Sequence, residues 1–227
     1  MLITLEGIDG TGKSSAAKML AQELGFVFMS TPGDEYMPLR KAATRNKYSA
    51  YHYYLSACYQ VSELAKSQDI VCDRYIHSTI AYNWPFSREC PQEVYAYFEG
   101  LRRPEKSFLL CASDSVRRER MTERKSQGGI ISELDGDFAG QMKAQKVYES
   151  FPELVRVDTD GLSLREVVNI LVHEVGRRES EESVCELLAC DEQTGEYVSR
   201  EVLMSAMKTL CAKEGITLDD LAKLLAF

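Results

Sequence analysis

The sequence holds three histidines and one tryptophan, has no cysteine pair spaced CxxC, and contains no apolar run approaching the ~18 residues of a membrane span. Each shortage excludes something. Three histidines with no carboxylate or cysteine at ligand spacing leave no zinc site to expect, and only His77 stands near other residues of interest. The seven cysteines, Cys58, Cys72, Cys90, Cys111, Cys185, Cys190 and Cys211, are odd in number and scattered, which reads as reduced thiols and not as a disulfide framework. Positive charge is also short. Lys and Arg total 27 against 35 Asp and Glu, for a net charge of -8 and a pI near 5.1. Coating a nucleic acid needs clustered basic residues to displace counterions, so a nucleic-acid partner is not expected. The opening MLITLEGIDG has no basic segment followed by an apolar one, so neither a signal peptide nor a membrane partner is expected, and the location expected is cytoplasmic.

What remains is the balance of a globular protein, with 44% hydrophobic and 27% charged residues in 227. That length suits one large α/β domain, or one of ordinary size with an appendage. Short apolar runs recur at Leu2–Leu5, Phe26–Met29, Ile70–Cys72, Phe108–Cys111 and Leu154–Val157, with segments of helical periodicity between them. Ala16, Ala17, Leu20 and Leu24 mark the first helix, and Gly25 its stop. The alternation predicts an α/β fold in three layers, a parallel β-sheet with helices on both faces, and ligands outside the carboxyl ends of its strands. The charged stretch Arg177–Ser183 follows a helix expected at about Leu164–Val175 and reads as a linker. Residues 1–178 are therefore expected to form the main domain. Residues 179–227 would form a small helical extension, with helices around Glu201–Lys213 and Leu218–Leu225.

The strongest chemical signal is GxxxxGKS, spelled Gly7, Ile8, Asp9, Gly10, Thr11, Gly12, Lys13 and Ser14, between the first strand and its helix. Glycines let backbone N–H groups curl around phosphates, and the following helix, opening at Ser14 and Ser15, turns its positive end to the charge. Lys13 reaches β and γ phosphates, and Ser14 is placed for Mg²⁺. A second cluster, Asp73-Arg74-Tyr75, directly follows an apolar run and so faces this loop. Asp73 can hold the Mg²⁺ hydration shell, and Arg74 can grip a phosphate bidentately.

Together the two motifs resemble the thymidylate kinase family, a group of P-loop nucleoside monophosphate kinases. The family's LEGxDGxGKS loop appears as Leu5 to Ser14, its DRYxxSxxAYQ stretch as Asp73 to Asn83, and its PGG loop begins at Pro32-Gly33. Arg117 to Arg124 resemble the arginine-rich helix of its lid. The resemblance covers residues 1 to about 178. It implies ATP and Mg²⁺ as cofactors, phosphorylation of a nucleoside monophosphate, dTMP foremost, and a homodimer. By position it implies that Asp9 and Arg74 hold the acceptor, and that Ser78, Thr79 and Tyr82 line its pocket. Thr79 would read the thymine edge, and Tyr82 would lie against the sugar and disfavour a ribose 2′-hydroxyl.

Transfer between phosphates needs charge neutralisation more than acid–base help. Where some family members carry an arginine in the loop, this chain has Gly10, so Lys13, Arg74 and the lid pair Arg120 and Arg124, four apart on one helix face, are with Asp9 the catalytic candidates. Arg117 stands three residues before Arg120 and joins them as a candidate. Glu119 and Glu123 interleave with them, as on an ordinary solvated face. The chain departs from the family where Ser30 and Thr31 replace an arginine and a glutamate, where Asp34 replaces the second glycine of PGG, and where Tyr51 to Gln60 lack the base-site arginine. Arg40, or else Arg45, is left to serve the acceptor, and Tyr53, Tyr54 or Tyr59 to stack on its base. A kinase for another deoxynucleotide, a nucleoside or a nucleotide-like metabolite remains open, as does a nucleotide-binding regulator. In the tail, Asp191 to Glu201 loosely follows a calcium loop, but Gln193 and Val202 stand where acidic ligands belong.

Overall fold

The computed structural model describes residues 1–86, 94–126, 137–188, 205, 208–209, 211–212 and 217, with backbone alone from 177 to 188. The chain divides into two compact units, Met1–Asn169 and Ile170–Phe227.

In the first unit β1 (Leu2–Glu6), β2 (Val27–Ser30), β3 (Ile70–Asp73), β4 (Lys106–Cys111) and β5 (Val155–Asp158) form a sheet in the order β2-β3-β1-β4-β5. Every pairing is parallel. The strands fall within a residue or two of the five apolar runs. β1 and β3 are buried along their whole length, as continuous apolar runs require in a sheet covered on both faces, while the edge strands β2 and β5 are largely open. Between the strands run α1 (Lys13–Leu24), α2 (Met37–Ala43), α3 (Lys47–Leu64), α4 (Ile76–Asn83), α5 (Val94–Tyr97), α6 (Asp114–Ser126) and α7 (Phe138–Glu149). Gly25 ends α1 in the left-handed conformation expected of it. A core of Leu2, Cys58, Val61, Ile70, Tyr75, Ile76 and Phe98 fixes α3 and α4 against the sheet. Burying such side chains stabilises by roughly 1.5–3 kcal/mol each, which holds the carboxyl ends of β1 and β3 in register, Leu5 opposite Asp73.

The last helix, α8, runs Leu164–Leu188. The stretch Arg177–Ser183, expected as a linker, is therefore helical. Its charge ends the apolar stripe without ending the helix, because Arg and Glu are among the stronger helix formers. The helices expected around Glu201–Lys213 and Leu218–Leu225 lie almost wholly outside the described residues, and so does the stretch Asp191 to Glu201. Cys58, Cys72, Cys111 and Cys211 are free thiols. Among the described residues no helix is long and apolar enough to cross a membrane.

Candidate active site

β1 ends at Glu6, and the chain turns through Gly7 to Gly12 before α1 begins. A side chain at Gly7 (φ +135°) would drive its Cβ to 2.4 Å from the Leu110 carbonyl oxygen, so only glycine lets the loop lie against β4. Gly12 enters α1 at φ +88°, and no side chain caps the helix. The free amides of that first turn open onto a cavity of about 540 Å³ lined by Gly10, Thr11, Gly12, Lys13, Ser14 and Ser15. Gly7 and Ile8 do not line it. Their carbonyls instead hold the site together, the first accepting from Arg74 and the second from Lys13 Nζ at 2.8 Å. Burial, then the nearby Arg74 charge, pushes Lys13 down to about 8, against the pull of Asp9 and Asp73. A phosphate bound on the loop would supply the missing negative charge.

Ser14 Oγ donates to Asp73 Oδ2, while Asp73 Oδ1 is buried without a hydrogen-bond partner. A hydroxyl and an unspent carboxylate oxygen at the mouth of a phosphate loop suit Mg²⁺ carried in on a nucleotide. Among the described residues no group of three or more His, Cys, Asp or Glu could hold an ion alone.

Arg74 is the most constrained residue of the site. It is non-glycine with φ 69°, a conformation that persists only where the surroundings over-determine it. Its Nη1 donates to Gly7 O at 3.1 Å, Ser78 Oγ at 3.2 Å and Tyr148 Oη at 3.3 Å, and its Nη2 to Asp9 Oδ1 at 2.5 Å. The Tyr82 ring lies 5.2 Å from the guanidinium. Burial alone would raise the Asp9 carboxyl, but the charges of Arg74 and Lys13 outweigh it and hold Asp9 below its ordinary 3.8.

On the far side of Arg74 lies a second cavity of about 290 Å³, lined by Asp9, Arg40, Asp73, Arg74, Ser78, Thr79 and Tyr82 among others. These are the residues expected to face an acceptor: Asp9 comes from the phosphate loop, Asp73 and Arg74 from the end of β3, Ser78, Thr79 and Tyr82 from α4, and Arg40 from α2. Tyr54 also lines it, whereas Tyr53 is spent on the Tyr36 carbonyl and Tyr59 on that of Glu99. Arg40 lines it and Arg45 does not. Thr79 Oγ1 donates to Tyr75 O at 3.4 Å and sits 3.5 Å from Cys58 Sγ. The Tyr82 hydroxyl is buried without a partner, and burial pushes it up to about 12.

The arginines of α6 divide by where they lie. Arg120 and Arg124 both line the larger cavity, Arg120 braced by bonds to Thr159 Oγ1 and Thr159 O, both at 2.9 Å. Arg117 is fully buried. It donates to Asp9 O at 2.8 Å and Asp114 Oδ1 at 2.8 Å, and to Gln141 Oε1. Hence Arg117 is a strut beneath the loop and not a lid arginine. Its Cβ and carbonyl oxygen would lie 3.0 Å from a Cβ at Gly10 (φ +86°), so an arginine side chain has no room at that position. Sequence reasoning passed over Tyr148 and Thr159 as well. Glu6 sits inside the recognised motif, but nothing in the spacing places Tyr148, 70 residues from Ser78, at a hydrogen bond of 2.7 Å to it.

The family model for thymidylate kinase matches residues 36–169, a range that starts after the phosphate loop. A probable thymidylate kinase of Pyrococcus abyssi (strain GE5 / Orsay) is 28% identical over 203 residues, 76% of this chain and 96% of that relative. Among solved structures, thymidylate kinase from Candida albicans superposes with a TM-score of 0.58 at 20% identity, over 78% of this chain and 92% of that one. Deoxyadenosine kinase from M. mycoides does so with a TM-score of 0.56 at 17% identity, over 78% and 99%. At such identities the structural likeness speaks for the fold alone.

Proposed function

The chain belongs to the thymidylate kinase family, and from that premise we propose that it transfers the γ-phosphoryl group of ATP to a nucleoside monophosphate, dTMP above others, through the two cavities that meet at Asp9 and Arg74. The observation that carries this reading is that meeting. Asp9 and Arg74 line both cavities, so a triphosphate on the loop and a monophosphate in the smaller chamber would face each other across one ion pair. The enzyme is a nucleoside monophosphate kinase, a transferase.

In the reaction proposed, an acceptor phosphate oxygen forms a bond to the γ-phosphorus and the bond from that phosphorus to the bridging β-oxygen breaks, giving ADP and a diphosphate. The acceptor is already an anion, so no base is needed and the obstacle is charge. Lys13 and the α1 amides hold the donor. Arg74 and Arg40 hold the acceptor phosphate, and Arg120 and Arg124 meet the transferred group. Ser14 and Asp73 are the residues that would hold a Mg²⁺ arriving with the nucleotide, which would supply charge neutralisation of the phosphates. A nucleoside kinase would require a free base. Glu6 is fully buried, accepting from Tyr75 N and Ser78 Oγ, and Asp9 is tied to Arg74, which favours a phosphate acceptor over a hydroxyl.

Thr79 supports a thymine-like base. Its proton is directed at the Tyr75 carbonyl, so its oxygen offers a lone pair to an N3–H donor, which thymine and uracil have and cytosine lacks. Coupled assays of ADP release should therefore rank dTMP and dUMP above dCMP, and Thr79→Val should cost dTMP roughly 10-fold in kcat/KM, about one hydrogen bond. Equal use of dCMP would refute this assignment of Thr79. The proposal extends to a cytoplasmic homodimer whose kinase part runs to about residue 178. Sedimentation equilibrium tests the dimer.

A further inference from the structure

His77 is a buried ionisable group beside the site that the reaction above does not use. It is fully buried in α4, with a carboxylate at each ring nitrogen. Nε2 lies 2.9 Å from Glu153 Oε1, and Nδ1 faces Glu6 Oε1 at 3.7 Å with no hydrogen-bond partner of its own. Glu6 is surrounded by donors, its two oxygens accepting from Tyr75 N–H at 2.9 Å and from Ser78 O–H. A neutral imidazole donating to Glu153 through Nε2 would turn the Nδ1 lone pair toward that carboxylate. Only the imidazolium, a donor at both nitrogens, suits both neighbours.

The consequence reaches Arg74. With the Ser78 proton given to Glu6, Tyr148 O–H donates to Ser78 Oγ, and both oxygens are then left to accept from Arg74 Nη1. The direction of this chain is set by the charge on Glu6. Without a cation at His77 that carboxylate would be buried with no countercharge, which is costly, and the chain would lose its order.

We propose that His77, as an imidazolium clamped between Glu6 and Glu153, is a positioning residue for the acceptor site, acting through Glu6, Ser78 and Tyr148 to hold Arg74 for the acceptor phosphate. This rests on the kinase reading above. The other groups facing His77 are Phe151, with ring centres 4.9 Å apart, and Tyr95, at 5.9 Å, whose buried hydroxyl is held neutral; Arg103 lies 5.9 Å from the Tyr95 ring. Burial works against the His77 charge, but the two carboxylates Glu153 and Glu6 outweigh it and hold its pKa above the ordinary 6.5. The charged form is therefore fully present at low pH and is lost as pH rises through the raised value. Acceptor binding should weaken along that alkaline limb.

The test joins two readouts that need no substrate to one that does. In ¹⁵N-histidine NMR, with the His77 signal identified by its loss in His77→Phe, both ring nitrogens should carry protons at neutral pH. The Arg74 guanidinium resonance should shift in His77→Phe. The acceptor kcat/KM should fall roughly 10- to 100-fold, as for a misplaced binding group, with the KM for ATP little changed. If His77→Phe does not fold, Glu153→Gln serves: it keeps the ring, moves the alkaline limb for the acceptor to lower pH and leaves the ATP limb in place. A single-protonated ring at neutral pH, or an unmoved Arg74 signal, overturns the proposal. So does an equal effect on both substrates. A wild-type protein with both spectroscopic signatures but no acceptor activity would sink the kinase reading and leave the role of His77 intact.

Discussion

Arg74 and Lys13 show how single side chains settle the chemistry before any element is considered. Arg74 spends its fork on Gly7, Ser78, Tyr148 and Asp9 at a backbone angle that costs energy. A lysine offers one ammonium for four acceptors. Arg74→Lys should therefore lower kcat/KM for the acceptor by roughly 100-fold or more, with ATP affinity nearly unchanged by calorimetry. Parallel loss of both would mean that Arg74 serves the loop instead. Lys13 makes a second case. Its pKa near 8 is depressed, so in the free protein the neutral form gains as pH rises through that value, and bound phosphates must draw the proton back. Above pH ~8, ATP binding measured in buffers of different ionisation enthalpy should show proton uptake, about one per site, lost in Lys13→Met. No uptake would mean that the lysine is charged without ligand.

At the scale of elements, α6 is where sequence and structure part. The five strands, α1 and the order of the motifs are legible because each rests on a local signal: a continuous apolar run, a helical stripe, a glycine stop. The same holds for Asp9, Lys13, Ser14, Asp73 and Arg74, which sit at strand ends that topology brings together. The arginines of α6 are not separable by sequence, since Arg117, Arg120 and Arg124 have the same chemistry at helical spacing. Position along the helix distinguishes them, with Arg117 in the first turn under the loop and the other two further on, toward the cavity. Arg117→Ala should destabilise the protein by at least about 2 kcal/mol, since it strips partners from Gln141 and from the Asp9 carbonyl. Arg120→Ala should leave the urea midpoint nearly in place while lowering kcat. Reversal of those two phenotypes would contradict the division. Tyr148 was invisible for a related reason, because α7 reaches Ser78 only through packing on α4. The charged end of α8 shows the opposite error, in which loss of an apolar stripe was read as loss of a helix.

For the whole molecule, the parallel sheet places two chambers at one edge and lets one ion pair serve both. Everything proposed about the reaction depends on those chambers taking a triphosphate and a monophosphate together. The direct test is ADP release from purified protein with ATP and Mg²⁺, against dTMP, dUMP, dCMP, dGMP, CMP, UMP and thymidine in turn. The account predicts turnover with dTMP ahead of the ribonucleotides and thymidine, abolished by Lys13→Ala. Turnover of thymidine without that of any monophosphate, or ATP binding with no acceptor used, would contradict it.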